Sequence, residues 1–171
     1  MGELEGSQFC PRCRTALDHA AGRVSCPACG FVAYANPKPT ASAVCVDERG
    51  RVLLTKRAIH PFLGAWDLPG GFVEESEHPL DALRRELLEE TSLEIEPLDF
   101  LGVWMDKYGG DSTAQSTMNL CWTARVVAGK PRPADDVAEL GWFGPEELPP
   151  KGELAFDSVA RALDAWRRRE D

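Results

Sequence analysis

Long apolar runs are missing from this chain. No stretch approaches the roughly 18 consecutive apolar residues that span a bilayer. The opening MGELEGSQFC has neither a basic segment nor an apolar one of the kind that leads a chain to export. A cytoplasmic location with no membrane partner is therefore the expectation. Positive charge is also scarce: Lys and Arg number 19 against 28 Asp and Glu, a formal net charge of -9 with a pI near 4.9. That balance weighs against a nucleic-acid-binding surface, which works by neutralising phosphates with Lys and Arg. It leaves room for a small anionic ligand, because a bound divalent cation inverts the local field. The one basic run, Arg167 to Arg169, falls at the end of the last expected helix, where cations suit the helix dipole. Internal repeats and low-complexity segments are absent. What remains is ordinary: 171 residues, 43% hydrophobic and 27% charged, enough for one domain with a real core and a small appended module.

Four of the six cysteines form two pairs, CPRC (Cys10, Cys13) and CPAC (Cys26, Cys29), with twelve residues between the pairs. Two such turns can close one tetrahedral Zn²⁺ site, and a disulfide framework is the weaker reading for a chain expected in the cytoplasm. The pattern resembles the zinc ribbon family. Four thiolates leave the ion no open position, so the implied role is structural. CPACGF fits the habit of a Gly after the second Cys of the turn, whereas CPRCRT carries Arg14 there. Cys45 and Cys121 lie inside apolar runs and read as small buried hydrophobes.

A Pro-rich joint, YANPKPT, follows from Tyr34 to Thr40 and marks the boundary between residues 1–36 and residues 37–171. ASAVCVD and RVLLTKR read as a strand pair across the turn ERG, and HPFLGAWDLPGG as a punctuated loop. Two long strand-like runs come later, then a short AELGWF strand, and a closing helix from about Leu154 to Arg168. Helices and strands mixed in this way predict an α+β layered domain around a mixed sheet.

The most informative segment is PLDALRRELLEET, a helix starting near Pro79, where proline suits the first helical position. Leu80, Leu83 and Leu87 share one stripe, and Glu86, Glu89 and Glu90 fill an arc of roughly 100° beside it. Converging carboxylates repel unless they share protons or bind hard cations, and an all-oxygen set suits Mg²⁺ or Mn²⁺. The same arithmetic sets Arg85 beside the arc, where it can orient a carboxylate from the preceding loop such as Glu77. LPGG just upstream can bring carbonyls and amides close to a metal or phosphate.

The spacing of these residues resembles the Nudix box. It runs Gly71, five residues, Glu77, seven residues, Arg85-Glu86-Leu87, one residue, Glu89-Glu90, one residue, Ser92-Leu93. Every fixed position of the family pattern is met except the last Gly, which is Ser92 here. The resemblance covers about residues 40 to 168 and implies a Nudix hydrolase domain over 37–171, an α/β/α sandwich with a mixed sheet. It implies hydrolysis of a nucleoside diphosphate linked to another moiety, ADP-ribose, NADH or similar, into a nucleoside monophosphate and a phosphorylated product. By the same resemblance Glu86, Glu89 and Glu90 bind Mg²⁺ or Mn²⁺, joined by the backbone carbonyl at Gly70. Arg85 and Glu77 position the catalytic carboxylates. A further acidic ligand before the Trp-Phe strand falls on Asp136 or Glu139. Glu89 and Glu90 are alternatives for the base, since a carboxylate within hydrogen-bond reach of water can take its proton. Phe62 and Trp66 are candidates for stacking on a base, with simple packing equally open for Trp66.

A ribbon followed by a Nudix domain looks like the NADH pyrophosphatase branch. The Ser-Gln-Pro-Trp signature typical of that branch is absent, and YGGDSTAQSTMNL stands in its region, which favours a broader ADP-ribose-like substrate class. A competing reading is a nucleotide-sensing module whose ribbon contacts nucleic acid or protein, although a pure sensor need not keep every box carboxylate. Decapping of nucleotide-capped RNA would want a basic track. Residues 1 to 38 offer Arg12, Arg14, Arg23 and Lys38 against Glu3, Glu5 and Asp18. The oligomeric state, a homodimer included, is left open.

Overall fold

In the computed structural model, residues 4, 6–109 and 114–170 are described. Glu3 and Glu5, at the start of the expected ribbon, lie outside that set, as do residues 110–113 of the YGGDSTAQSTMNL segment. The chain divides into two compact units: one of residues 1–37 with 107–116, the other of residues 38–106 with 117–171.

The first unit is built on a three-stranded antiparallel sheet of β1 (Asp18–Ala20), β2 (Arg23–Ser25) and β3 (Val32–Tyr34), in that order. Among the described residues its buried cluster holds Cys10, Leu17, Val24 and Cys26, with Leu4, Phe31 and Ala33 packed against it. That is far too little apolar area to hold a fold of this size by itself.

The second unit carries a seven-stranded sheet. β4 (Lys38–Val46) is central, antiparallel to β5 (Val52–Arg57) and parallel to β9 (Gln115–Gly129). β10 (Val137–Phe143) lies outside β5 and β8 (Leu93–Tyr108) outside β9, giving the order β10-β5-β4-β9-β8. The segment read as a loop, HPFLGAWDLPGG, contains two short strands: β6 (Trp66–Asp67) pairs with β5, and β7 (Gly70–Phe72) with β4. Each is too short to show a period in sequence.

The two-residue period of a strand sorts the core into two layers. Ala41, Ala43 and Cys45 of β4, with Leu53 of β5, meet Ala82, Leu83 and Leu87 of helix α1 (Pro79–Thr91). Val44, Val52 and Leu54, one step out of phase, meet Val159, Ala162, Leu163 and Trp166 of helix α2 (Asp157–Glu170). The sheet therefore lies between two helices, the α/β/α sandwich. Cys45 and Cys121 are 0% and 1% exposed, and burial pushes their thiols up to about 12 and about 11.

α2 begins at Asp157, three residues later than its apolar pattern suggests. A 3₁₀ turn, Lys151–Glu153, follows the Pro149-Pro150 pair, and Lys151 pairs with Asp157 at 3.0 Å. α1 begins where expected, with Pro79 in its first turn and the His78 ring nitrogen accepting the Leu80 N–H at 3.2 Å. It ends on Ser92 in the left-handed region, φ 59°, whose N–H donates to the Leu88 carbonyl at 3.0 Å. Serine thus takes the backbone state that glycine would take at lower cost. No helix among the described residues is long and apolar enough to cross a membrane.

Candidate active site

The pairing of β7 with β4 sets Gly70 opposite Ser42 and Gly71 opposite Ala41, and α1 returns over this pair. Gly70 is required sterically, and Gly71 leaves the space that the Glu86 carboxyl occupies. A Cβ on Gly70 (φ +139°) would lie 2.2 Å from the Ala41 carbonyl oxygen, and one on Gly71 would lie 2.5 Å from the Glu86 carboxyl carbon. Glu86 and Glu90 are therefore seated directly on the Gly70-Gly71 backbone. Gly71→Ala is expected to displace Glu86 and lower activity at least about tenfold, read by steady-state assay alongside a melting curve that shows the chain still folds.

Glu90 is the innermost acid, 7% exposed, its Oε2 accepting the Gly70 N–H at 2.9 Å. Burial pushes its carboxyl well above the usual range against that hydrogen bond, and the charges of Asp136, Asp67 and Glu86 add to the rise. Glu86 is half-buried, and burial raises it too, opposed by Arg85. Glu89 stands at the solvent side, about half exposed.

Arg85 joins these acids. Its Nε and Nη2 form a fork on Glu77 at 2.9 and 2.8 Å, Nη2 also reaches the Phe72 carbonyl at 3.2 Å, and Nη1 bridges Glu86 at 2.8 Å and Glu89 at 3.2 Å. The Arg85 hydrogen bonds hold Glu77 down to about 2. The glutamates of the helical arc repel one another unless something offsets their charge. One guanidinium supplies part of that offset, and it links the box Glu to two of the three helix acids.

Asp136 precedes β10, half-buried, and its charge acts on both Glu90 and Asp67. Glu139, the alternative, is exposed and paired with Lys56 at 3.1 Å. Phe62 is 47% exposed and meets Phe156 edge-on at 5.0 Å. Trp66 packs edge-on against Phe143 at 4.9 Å, with Lys56 over its ring at 5.2 Å. Reading by motif missed Asp67. Its carboxyl is pushed up to about 6 by burial, against the pull of Arg57 3.0 Å away. The signal available was an acidic residue beside an apolar Trp and Leu, three places before the Gly-Gly turn.

Among the described residues no three of these carboxylates have oxygens all within 4.8 Å of one another; the cysteines of the first unit do. The donor chemistry still fits hard divalent cations. The set is all oxygen, the buried Glu90 and the half-buried Glu86 are raised by burial and by their neighbours' charge, and the backbone beneath them has no side chain to block approach.

The cysteine site is more completely formed. Sγ of Cys10 and Cys29 are 3.6 Å apart and those of Cys13 and Cys26 3.4 Å, too long for disulfides at about 2.05 Å and close to the edge of a tetrahedron with metal–sulfur bonds near 2.3 Å. The two turns match: Arg14 N–H donates to the Cys10 carbonyl at 2.9 Å and Gly30 N–H to that of Cys26 at 3.0 Å. Arg14 and Gly30 both take positive φ, 62° and 71°. All six thiols are free.

The structure thus assembles a three-layer sandwich with an acidic helix clamped beside a Gly-Gly turn. The chain belongs to the NUDIX family: the family's NUDIX domain model matches residues 36–163. It is 32% identical to an ADP-ribose pyrophosphatase of Methanocaldococcus jannaschii over 134 residues, 78% of this chain and 76% of the relative. It is 30% identical over 162 residues to an NAD-capped RNA hydrolase NudC of Pseudomonas aeruginosa, 92% of this chain but 54% of that one. The chain thus spans about half the length of that relative. A crystal structure of a NUDIX hydrolase from Nitrosomonas europaea superposes with a TM-score of 0.76 at 28% identity, covering 95% of this chain and 93% of that one.

Proposed function

We propose that the chain is a divalent-metal-dependent pyrophosphohydrolase, cleaving a nucleoside diphosphate linked to another moiety. The observation that carries this reading is Glu90 sealed on the Gly70 N–H, with Glu86 against Gly71 on the same side of α1. ADP-ribose is the preferred substrate class, since the ADP-ribose pyrophosphatase relative is matched over most of its length. Water attacks one phosphorus of the pyrophosphate link and the bridging oxygen leaves with the other, so that ADP-ribose gives AMP and ribose 5-phosphate.

Glu86, Glu89 and Glu90, with the Gly70 carbonyl and Asp136, are the proposed holders of Mg²⁺ or Mn²⁺. Glu139 is set aside because its carboxylate is engaged with Lys56. When bound there, divalent cations offset the charge of the pyrophosphate oxygens and acidify water. Arg85 keeps Glu86 and Glu89 in place through its fork on Glu77. Glu89, on the solvent side, is the proposed proton acceptor, while Glu90 is shut in against backbone. The Phe62 ring, half exposed and edge-on to Phe156, is the proposed wall for a base, while Trp66 packs on Phe143. Zn²⁺ on Cys10, Cys13, Cys26 and Cys29 is the proposed structural ion of a ribbon over residues 1–36. With every thiol unpaired, the cytoplasm is the proposed compartment.

The test is a panel of ADP-ribose, NADH and related diphosphates with Mg²⁺ or Mn²⁺, scored by product identity. AMP release from wild type that falls at least about a hundredfold in Glu89→Gln is expected. Unchanged release in that variant would remove Glu89 from its role, and no turnover on any substrate would turn the reading toward a nucleotide sensor.

A further inference from the structure

Arg57, the last residue of β5, is used by no step above, yet it stands where three parts of the site meet. Its backbone closes the loop that carries Phe62: the Arg57 N–H donates to the Ala65 carbonyl at 3.0 Å, and its carbonyl accepts the Gly64 N–H at 2.9 Å. Its side chain holds the middle of the same loop, with Nε donating to the Pro61 carbonyl at 2.8 Å. Nη1 meets Asp67 at 3.0 Å, and the guanidinium lies 5.5 Å from the Phe156 ring centre. Both partners of the Arg57–Asp67 pair are largely out of water, at 11% and 15% side-chain exposure. Asp67 is fixed from the other side as well, its Oδ1 accepting the Leu68 N–H at 2.9 Å, and Leu68-Pro69 leads directly to Gly70. The next residue, Ala58, donates its N–H to the Asp136 carbonyl at 2.7 Å.

We propose that Arg57 is a positioning residue, a clamp that fixes the Phe62 loop to the Asp67 segment ahead of Gly70, and so sets the substrate wall against the carboxylates. The inference rests on the pyrophosphohydrolase reading for its kinetic consequence, though not for its structural one. A guanidinium is needed because two donors must point to different acceptors, Pro61 and Asp67, from one rigid plane. An ammonium keeps the charge but cannot span both with that geometry.

The test compares Arg57→Lys, Arg57→Ala and the nearly isosteric Asp67→Asn with wild type. Kinetics on ADP-ribose with Mg²⁺ are paired with amide hydrogen exchange across residues 58–65. Arg57→Lys is expected to raise KM about tenfold while kcat falls less than about threefold, with Arg57→Ala worse on both. The Gly64 and Ala65 amides are expected to exchange at least about tenfold faster in both Arg57 variants. Asp67→Asn, which leaves the Pro61 bond in place, is expected to change loop exchange less and kcat more. A lower melting temperature with both kinetic constants within twofold of wild type would overturn the proposal, as would unchanged loop exchange in Arg57→Ala. If wild type turns over no substrate, the hydrolase reading fails by itself, and the exchange data still decide whether the clamp exists. Should Arg57→Ala not fold, the Lys and Asn variants carry the comparison.

Discussion

Glu90→Gln is expected to reduce metal-dependent turnover by at least about a thousandfold and, with metals removed by EDTA, to raise the melting temperature at neutral pH. The two effects share one cause. Glu90 is 7% exposed and held by a single backbone donor, Gly70 N–H. Burial and three neighbouring acids lift its carboxyl well above the ordinary value. A carboxyl raised in the folded state binds protons more tightly there than in the unfolded chain. Its favourable contribution is therefore full below the unfolded pKa and is lost as pH rises through the folded one. Metal-free wild type should lose stability over that upper range, and Glu90→Gln, which cannot ionise, should not. Added Mg²⁺ should then stabilise wild type and leave the variant nearly unchanged. A variant that melts below wild type in EDTA at pH 8, or that keeps more than about a tenth of the activity, would remove Glu90 from the site. The trade is of the kind found where function needs an unfavourable buried charge.

How much of this site could be read in the chain depends on which interaction does the holding. α1 was legible from Pro79 to Thr91, because proline in the first turn, the Leu83–Leu87 stripe and the box spacing all act within one helix. The paired cysteines were legible for the same local reason. β4 starts at Lys38, inside the Pro-rich segment 34–40. Contacts across the fold were less accessible. Arg85 was expected to orient Glu77, but its bridge to Glu86 and Glu89 depends on how the guanidinium turns, which angle arithmetic on a helical wheel does not contain. Asp67 looked like part of a punctuated loop. Its meaning comes from Arg57, ten residues earlier and on a different strand, and only the β5–β6 pairing brings them together. The parallel β4–β9 pair likewise joins residues nearly eighty positions apart, as in Thr40 opposite Asn119. Two arginines thus divide the work: Arg85 serves the outer acids Glu77, Glu86 and Glu89, while Arg57 serves the inner Asp67. Glu90 is held by the Gly70 N–H and raised by the charge of Asp136, Asp67 and Glu86, so a divalent ion would relieve repulsion at that end of the site.

Cys26→Ser is expected to abolish zinc binding and unfold the three-stranded sheet of the first unit, while the amides of β4 and β5 keep their protection. Among the described residues the first unit buries four side chains, two of them cysteines of the metal set, so removing the ion disturbs part of the core as well. A structural Zn²⁺ on thiolates supplies on the order of 10–16 kcal/mol to folding at neutral pH, more than a cluster of Leu17, Val24 and their half-buried neighbours can replace. A serine hydroxyl is a poor ligand beside three thiolates, and Cys26 is itself 3% exposed, so the substitution loses the ligand and packing together. Cys45→Ser is the control. That thiol lies in the sheet core and outside the metal set, so zinc content should hold at one ion per chain although stability falls. Metal analysis and amide exchange on freshly purified, reduced protein read both outcomes. A wild-type chain without zinc would overturn the assignment, and so would a β1–β2–β3 sheet that stays protected after chelation, because seven apolar or partly apolar side chains would then be folding alone.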